Sequence, residues 1–583
     1  MTSVELNTGK SFSTAPPPGE TWASHIVVGG GTAGCVLASR LSEDPRKNVL
    51  LLEAGRDFPA DQMPKELSDT YAALALSNPA YFWLGLNVQR GPGEHIPDKA
   101  RAPFYFYQGR VIGGGSSING QVAIRGTPDD FDTWERMGAA GWRYESVLPY
   151  FRKLETDLDI EDDFHGRQGP IRIRRVDKEQ WDSFTIAVAR DWKSQGLTYV
   201  KDMNGRFEEG YSPIPLSNDG KRRSSCAVEY LGPEVRRRPN LIVLGEAEVV
   251  RILFEGRVAI GVRVNVKGVT RVYRAHTIVL SAGTLHTPQL LMLSGIGPAE
   301  HLRQYDIPVI ADRAGVGSNL HDHPLISVSA YLPRSARSRP FIRRNYAYAR
   351  YSSGMPGCDP TDMLMMAVCR SSWHAIGERI ATLSAYVSLP FARGTVRLKS
   401  RSFRDRPDVA FAWLSDERDR KRLVAAFVRM AQMLRSGESS KECRDPFPST
   451  YSARVARISR PTLWNKLVVG AGARMLDGPA PLRRWLMGSV ISEAPGLDRL
   501  LESPEETERY VCTAVRSAWH PVGSCRMGKQ DDPLAVTDCT GKVLGVEGLH
   551  VADASLMPRI TRNNTNLPTI MIGERIADLL GSR

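Results

Sequence analysis

The chain has no uncharged apolar window of the roughly 18 residues that a membrane span requires, which excludes an integral anchor. Its first 21 residues are polar, include Pro16, Pro17 and Pro18, and hold neither an apolar stretch of signal-peptide length nor paired arginines. A disordered tail, no Sec export and a cytoplasmic location are expected. Cys-x-x-Cys pairs are missing as well. Eight irregularly spaced cysteines read as reduced, mostly buried thiols, which excludes a disulfide framework. Internal repeats and long low-complexity tracts are absent. The formal net charge is +13, but 77 basic residues are interspersed with 64 acidic ones, so no basic stripe for a nucleic acid emerges. The one local excess, residues 334–350 (RSARSRPFIRRNYAYAR), has six arginines and no acid and is expected to be a solvated loop. What remains is an ordinary globular composition, 42% hydrophobic over 583 residues, enough for a large core in two or more interleaved domains.

Residues 25–55, HIVVGGGTAGCVLASRLSEDPRKNVLLLEAG, carry the strongest signal. His25 to Val28 reads as a buried strand, Gly29 permits a tight turn, and Gly31 lets the backbone approach a pyrophosphate held at a helix N-terminus. Gly34 then packs helix against strand. Glu53 ends the next apolar run, where a carboxylate can accept both hydrogen bonds of an adenosine ribose diol; an arginine there would suit a 2′-phosphate instead. The unit predicts a dinucleotide with a free ribose hydroxyl, cradled by Gly29, Gly31, Thr32, Ala33 and Gly34 and followed by Glu53 and Ala54.

Two distant stretches repeat the strand-to-helix pattern. Thr270 to Gly297 reads strand, glycine turn and helix; Gly548 to Leu580 reads strand, irregular loop and an amphipathic helix opening at Pro568 and Thr569. Together they predict one doubly wound α/β domain assembled from separated pieces. Runs such as ATLSAYVSLP and GTVRLKS, alternating with polar turns, predict a second, sheet-based domain. The expected partition is a tail (1–21), the dinucleotide domain in three parts (22–165, 222–322, 504–583), and the substrate domain in two (166–221, 323–503). Ala471 to Leu501 is expected to be a packed helix pair rather than a membrane-contact surface. His321-Asp322-His323, in a Gly-Ser-Asn-Leu turn without a third spaced ligand, is read as structural, and no metal is expected.

Gly109 to Trp134, GRVIGGGSSINGQVAIRGTPDDFDTW, offers three consecutive glycines, two serines and an asparagine, a run rich in donors for phosphate or flavin oxygens. With this segment the chain resembles the glucose-methanol-choline (GMC) oxidoreductase family. GTLHTPQLLMLSGIG (283–297), HPVGSCRMG (520–528), VADASLMP and NNTNLPT match its further signatures in the family's order, and HGRQGPI, RRRPNL and NTNLPT look most like the hydroxymethylfurfural oxidase branch. The resemblance implies a split Rossmann-like FAD-binding domain with an α+β substrate domain built on an antiparallel sheet. It implies His520 as active-site base and Asn564 as the residue holding the substrate oxygen; Asn566 competes for that place, and the doubled Asn563-Asn564 leaves the register open by one. An imidazole titrating near the working pH suits proton removal, whereas an amide orients an alkoxide but takes no proton.

Further flavin contacts are expected from Arg110, Gly114, Gly115, Ser116, Asn119, Gly120 and Val122, and from Val249 and Ala282. Trp519, Asp553, Ala554, Asn566, Pro568 and Thr569 are expected to complete them, the last two opening a helix whose positive end faces the flavin. Ile118 stands where covalently flavinylated members carry a histidine, so dissociable FAD is expected. The implied reaction is oxidation of a primary alcohol, aromatic or furanic first, with oxygen as acceptor. The rivals are a quinone- or carrier-linked dehydrogenase of the family, a non-redox flavin lyase or decarboxylase, and a flavin-binding scaffold without catalysis. Oligomeric state is left open.

Overall fold

The computed structural model describes residues 21–581 apart from 92, 94, 338–344, 453–454, 456–457 and 459–461. The N-terminal tail therefore lies outside the described residues except for Thr21, and so does the middle of the basic stretch 334–350.

The dinucleotide unit forms as β1 (Thr21–Val28), α1 (Thr32–Leu41) and β2 (Val49–Leu52). The strand opens at Thr21, four residues ahead of the expected His25. β2 is VLLL and buried throughout, the pattern of a parallel strand covered on both faces. The chain returns to this sheet as β3 (Leu241–Leu244), β4 (Ala247–Glu255), β5 (Val258–Val266), β6 (Val269–Leu280) and β7 (Leu549–Val551). The order is β4-β5-β6-β1-β2-β3, with β7 beside the last residues of β6. Pairs among β6, β1, β2 and β3, and β6 with β7, are parallel; β4-β5-β6 is an antiparallel meander. The three separated stretches thus meet in one sheet, and its parallel strands end on one side, where ligands of open α/β sheets bind.

A second sheet of seven strands is antiparallel throughout, ordered Arg444–Pro448, Pro324–Tyr331, Ile380–Val387, Met363–Val368, Asn345–Tyr351 and Gly210–Pro213, with Arg516–Ser517 added beside Pro324 and Leu325. Helix Glu417–Ser436 covers it with Leu423, Phe427, Met430 and Leu434 at helical spacing, and Asp416 caps its start. The architecture is the expected α/β dinucleotide domain joined to an α+β domain on an antiparallel sheet.

Two segments sit differently from expectation. Helix Pro504–Ala514, grouped on sequence with the dinucleotide domain, buries Tyr510 and Val511 in the core of the antiparallel sheet, and Tyr510 lies 5.2 Å from Phe427 between ring centroids. The adjoining strand Arg516–Ser517 belongs to the same layer, so we place the boundary after Ser517. A helix pair exists, but as Leu463–Leu476 and Ala480–Leu486, opening eight residues before the expected Ala471 and ending well short of Leu501, and it is packed on one face only. All eight cysteines are free thiols, six of them buried.

Candidate active site

Three helix starts meet at one cavity of about 1350 Å³ between the two sheets. Gly29, with φ +98°, turns β1 into α1, and a Cβ on Gly34 would stand 1.9 Å from the Gly29 carbonyl oxygen, so only glycine lets the helix seat on the turn. Gly114 opens the short helix Gly115–Ile118 with φ +48°, and a Cβ there would come within 2.8 Å of the Gly31 Cα. The third start belongs to α2 (Asn566–Gly581), tied to α1 by Thr32 Oγ1 donating to Asn566 Oδ1 at 3.3 Å. Backbone N–H groups and helix dipoles therefore favour an anionic ligand in this corner. A Cβ on Gly31 would meet only Ser281 O, at 3.8 Å, and one on Gly120 only Val122, at 4.0 Å, which leaves the backbone open to close approach from the cavity.

Glu53, directly after β2, is buried; its Oε2 accepts the Gly30 N–H at 2.8 Å and its Oε1 accepts the Gly55 N–H at 2.7 Å. Burial raises its pKa, against those two amide bonds. Each oxygen keeps a second lone pair for a ribose hydroxyl. Asp553 lines the cavity and also caps its own turn, its carboxylate accepting from Ser555 N at 2.8 Å, Gly283 N at 2.9 Å and Thr287 Oγ1 at 2.6 Å.

Of the residues expected to hold the cofactor, Gly29, Gly31, Thr32, Ala33, Glu53, Ala54, Gly114, Gly115, Asn119, Gly120, Val122, Val249, Ala282, Trp519, Asp553, Ala554, Asn566 and Thr569 all line this cavity. Gly34 does not, in keeping with its packing role. Arg110, Ser116 and Pro568 are not on its wall. Arg110 lies over the Trp83 ring at 5.0 Å and pairs with Glu248 at 3.7 Å; the Ser116 hydroxyl is consumed by Gly113 O and Cys226 N; Pro568 is buried within the first turn of α2. Sequence reading missed Gln108 and His286, both on the cavity wall. Gln108 Oε1 and both ring nitrogens of His286 are buried without a hydrogen-bond partner. Orphaned polar atoms beside an open glycine cradle are what a polar ligand such as FAD would satisfy, and the residues present fit that group.

At the opposite end, His520 and Asn564 converge: Asn564 Nδ2 lies 2.9 Å from His520 Nε2. Asn563 instead donates to Arg125 O, and Asn566 Oδ1 accepts from Thr32 Oγ1, so of the three it is Asn564 whose amide meets His520. Asp322 Oδ1 accepts the His520 backbone N–H at 2.9 Å, and Trp519 is held in the left-handed region at φ +60°. The other His520 nitrogen, Nδ1, is 2.9 Å from His323 Nδ1, and His323 Nε2 is 3.1 Å from the Thr561 carbonyl. A carbonyl only accepts, so His323 carries its proton on Nε2; neutral His323 then offers a bare Nδ1, and His520 must place its own proton on Nδ1. His520 Nε2 is left with a free lone pair facing Asn564. Burial holds His520 down to about 3 and His323 well below the usual imidazole value, so both are neutral at ordinary pH. The His321-Asp322-His323 triplet does not converge as ligands, since His321 Nδ1 turns back to Asn319 O at 2.8 Å. His323 is nevertheless a site residue, through a contact across 197 positions that no local pattern signals.

A second cluster, Glu155, Asp157 and His165, brings its ligand atoms within 4.8 Å of one another. Burial opposes charge on His165, but the hydrogen bonds its ring donates to Asp157, Asp202 and Glu155 raise it to about 10, and Arg125 and Arg175 pair with the carboxylates. Three cationic side chains, Arg125, Arg175 and His165, thus face three carboxylates, Glu155, Asp157 and Asp202, in a buried ion network.

The wall supplied by the antiparallel sheet and its loops carries hydroxyls and aromatic rings: Ser327, Ser384, Ser449, Tyr386, Tyr451 and Trp373. Among the described residues, the cavity's carboxylates are Glu53, Glu248 and Asp553, all from the dinucleotide side, and its single guanidinium is Arg516.

Residues 23–325 and 390–573 match the N- and C-terminal domain patterns of GMC oxidoreductase. The chain is 38% identical over 571 residues to 5-(hydroxymethyl)furfural oxidase of Methylovorus sp. (strain MP688), covering 96% of this chain and 99% of that one. It is 33% identical to an oxygen-dependent choline dehydrogenase of Rhizobium etli, covering 96% of each. Among solved structures, pyridoxine 4-oxidase from Mesorbium loti superposes with a TM-score of 0.76 at 26% identity, over 96% of this chain and 99% of that one. The phosphate cradle, the imidazole-amide pair and the matched sequence all lead to one conclusion: the chain belongs to the GMC oxidoreductase family, FAD-dependent enzymes acting on CH–OH donors.

Proposed function

We propose that the protein oxidises a neutral primary alcohol, aromatic or furanic, to the aldehyde, with non-covalently held FAD and oxygen as final acceptor, releasing hydrogen peroxide. The observation that carries this reading is the proton order along Thr561, His323 and His520, which leaves an unprotonated Nε2 on the cavity side. An alcohol between His520 and Asn564 exchanges their mutual bond for two: its O–H donates to His520 Nε2, and Asn564 Nδ2 donates to its oxygen. As the hydroxyl proton moves to Nε2, the Asn564 amide stabilises the charge gathering on oxygen. When bound, FAD supplies the acceptor for the hydride leaving the alcohol carbon. Gly31, Gly114 and the start of α2 are the residues we assign to its pyrophosphate and ring, Glu53 to its ribose. Ile118, on the cavity wall, is a hydrocarbon with no nucleophile, which supports a dissociable cofactor. Two features favour neutral alcohols over a quaternary ammonium. The substrate wall holds no carboxylate among the described residues, and Arg516 is its only fixed charge.

Anaerobic mixing of the yellow protein with 5-(hydroxymethyl)furfural, benzyl alcohol and choline, followed by air, tests the reading. We expect bleaching with the first two, none with choline, and peroxide on reoxidation. Bleaching that persists in air and is reversed promptly only by an added quinone or dye would assign a carrier-linked dehydrogenase, and no bleaching with any alcohol would assign a non-redox activity. Acid precipitation should leave the flavin in solution; yellow colour retained in the pellet would refute non-covalent binding.

A further inference from the structure

Helix Leu463–Leu476 is apolar nearly all the way round. Its inner stripe, Val469, Ala473 and Leu476, is buried in a small core with Tyr331, Ile376 and Phe447. The outer stripe has no cover among the described residues: Leu463 is 81% exposed, Trp464 72% and Leu467 69%, and Trp485 on helix Ala480–Leu486 is 57% exposed. A helix hydrophobic on both faces belongs in an apolar medium on both, and contiguous exposed apolar side chains mark a contact surface. The charges around it have one sign. Lys466 and Arg474 are exposed and have no carboxylate partner among the described residues. The nearby carboxylates are consumed, Asp477 by Arg337 and Arg379, and Asp445 by Arg483 and Arg484.

We propose that this face docks the protein peripherally on an anionic phospholipid bilayer, with Leu463, Trp464, Leu467 and Trp485 in the interfacial layer and Lys466 and Arg474 among the headgroup phosphates. Tryptophan and leucine opposite lysine and arginine are the composition of an interfacial helix, and tryptophan is the residue that settles at headgroup depth. A second copy is the poorer occupant. A two-fold contact through this face would bring the same uncompensated cations together, whereas anionic lipid neutralises them. The position also suits delivery to the active site. Tyr451 lines the cavity, is 36% exposed, and bridges to Ser492, while Ser452 N donates to Ile491 O at 2.9 Å, so the helix pair and its following turn brace the cavity wall. Docking thereby places that wall beside the reservoir from which a lipid-soluble alcohol would come.

Co-sedimentation of the flavin-loaded full chain with phosphatidylcholine vesicles, with and without phosphatidylglycerol, tests the proposal independently of any alcohol chemistry. Binding is expected to the mixed vesicles and to weaken on the order of 10-fold in high salt. The double variant Trp464→Ser, Leu467→Ser should lose binding by about 10-fold or more while keeping its flavin absorbance and its turnover of a water-soluble alcohol. Lys466→Glu with Arg474→Glu, which leaves the apolar stripe intact, should weaken binding to the anionic vesicles by a similar factor of about 10. Wild-type protein remaining in the supernatant with both vesicle types would overturn the proposal. So would a wild-type dimer that the serine variant makes monomeric, which would assign the face to a second copy.

Discussion

The proton on His520 is set by a residue that does not face the substrate. Thr561 O fixes His323, and His323 fixes His520, so the lone pair that accepts the alcohol proton is in place before substrate arrives. Removing the base, by His520→Ala, should lower the rate of anaerobic flavin reduction by about 10²-fold or more while the flavin spectrum persists, the usual worth of a positioned general base. His323→Leu is the sharper test. It leaves His520 present but its Nδ1–H without an acceptor, and a fall of roughly 10-fold in the reduction rate is expected, with FAD retained. A purely structural role would lower stability and leave the rate per bound flavin unchanged. Burial also holds His520 near 3, so its acid limb in the pH profile of flavin reduction should lie well below the ordinary imidazole value, and His323→Leu should displace that limb. A wild-type limb centred at about 6.5, the free imidazole value, would refute the buried neutral base. His520 and Asn564 could be singled out in the sequence because each sits in a short motif that resembles the family's, although the doubled Asn563-Asn564 left the register open by one. His323 and the wall residues Tyr386 and Trp373 were not, because distant parts of the chain bring them in: Tyr386 reaches the site through strand register, paired with Leu325 and Leu364, whereas His323 and Trp373 arrive on loops beside the sheet.

At the scale of elements, the legible parts are those whose signal is contained within a few dozen residues. The β1-α1-β2 unit was readable from glycine spacing and an apolar run. Helix Pro504–Ala514 was assigned to the wrong layer, because an amphipathic stripe announces that one face is buried without saying which sheet receives it. The loop before α2 shows how a distant element fixes the site. Arg562 N and Nη1 bond to the buried Asp130 carboxylate, and Arg562 Nη2 reaches Asp129 Oδ2 at 2.9 Å, pinning the residues before Asn564 to helix Pro128–Arg136. Arg562→Ala strands the Asp130 carboxylate in the core, and removing one partner of a buried pair costs about 3–5 kcal/mol. Urea unfolding should report a loss of that size, and flavin reduction should slow because Asn564 loses its anchor. A midpoint within experimental error of wild type would show that the pair does not hold the loop. Gly34→Ala should be harsher for the cofactor: its methyl group collides with the Gly29 carbonyl, so the purified protein is expected to be colourless or to bind added FAD at least about 10-fold more weakly.

The whole molecule keeps an unusual number of histidines neutral in its interior. Burial is the leading cause in each case, lowering His25 and His374 to about 4, His286 and His520 to about 3, and His321 and His323 well below the ordinary value. These groups come from both sheet layers and from the cavity between them. Each binds a proton near pH 6.5 when unfolded and resists it when folded, so between 6.5 and its folded value the unfolded state holds more protons and stability falls as pH falls. His165 has the opposite sign. Raised to about 10 by its carboxylates, it contributes stability that is complete below 6.5 and is lost only as pH rises through 10, so it offers no relief on the acid side. Melting temperature should therefore decline steeply from about pH 6.5 downward, through the range in which free imidazoles protonate. Added FAD should flatten that decline, since a ligand that binds only the folded state opposes unfolding by mass action, and His286 and His520 border its cavity. His25→Gln, within β1 and off the cavity wall, removes one of the titrating groups and should make the decline shallower without altering flavin reduction. A melting temperature that stays level between about pH 7 and pH 4.5, across the range where free imidazoles titrate, would mean that these histidines are hydrated or already charged, and the neutral proton relay proposed at His520 would fall with them.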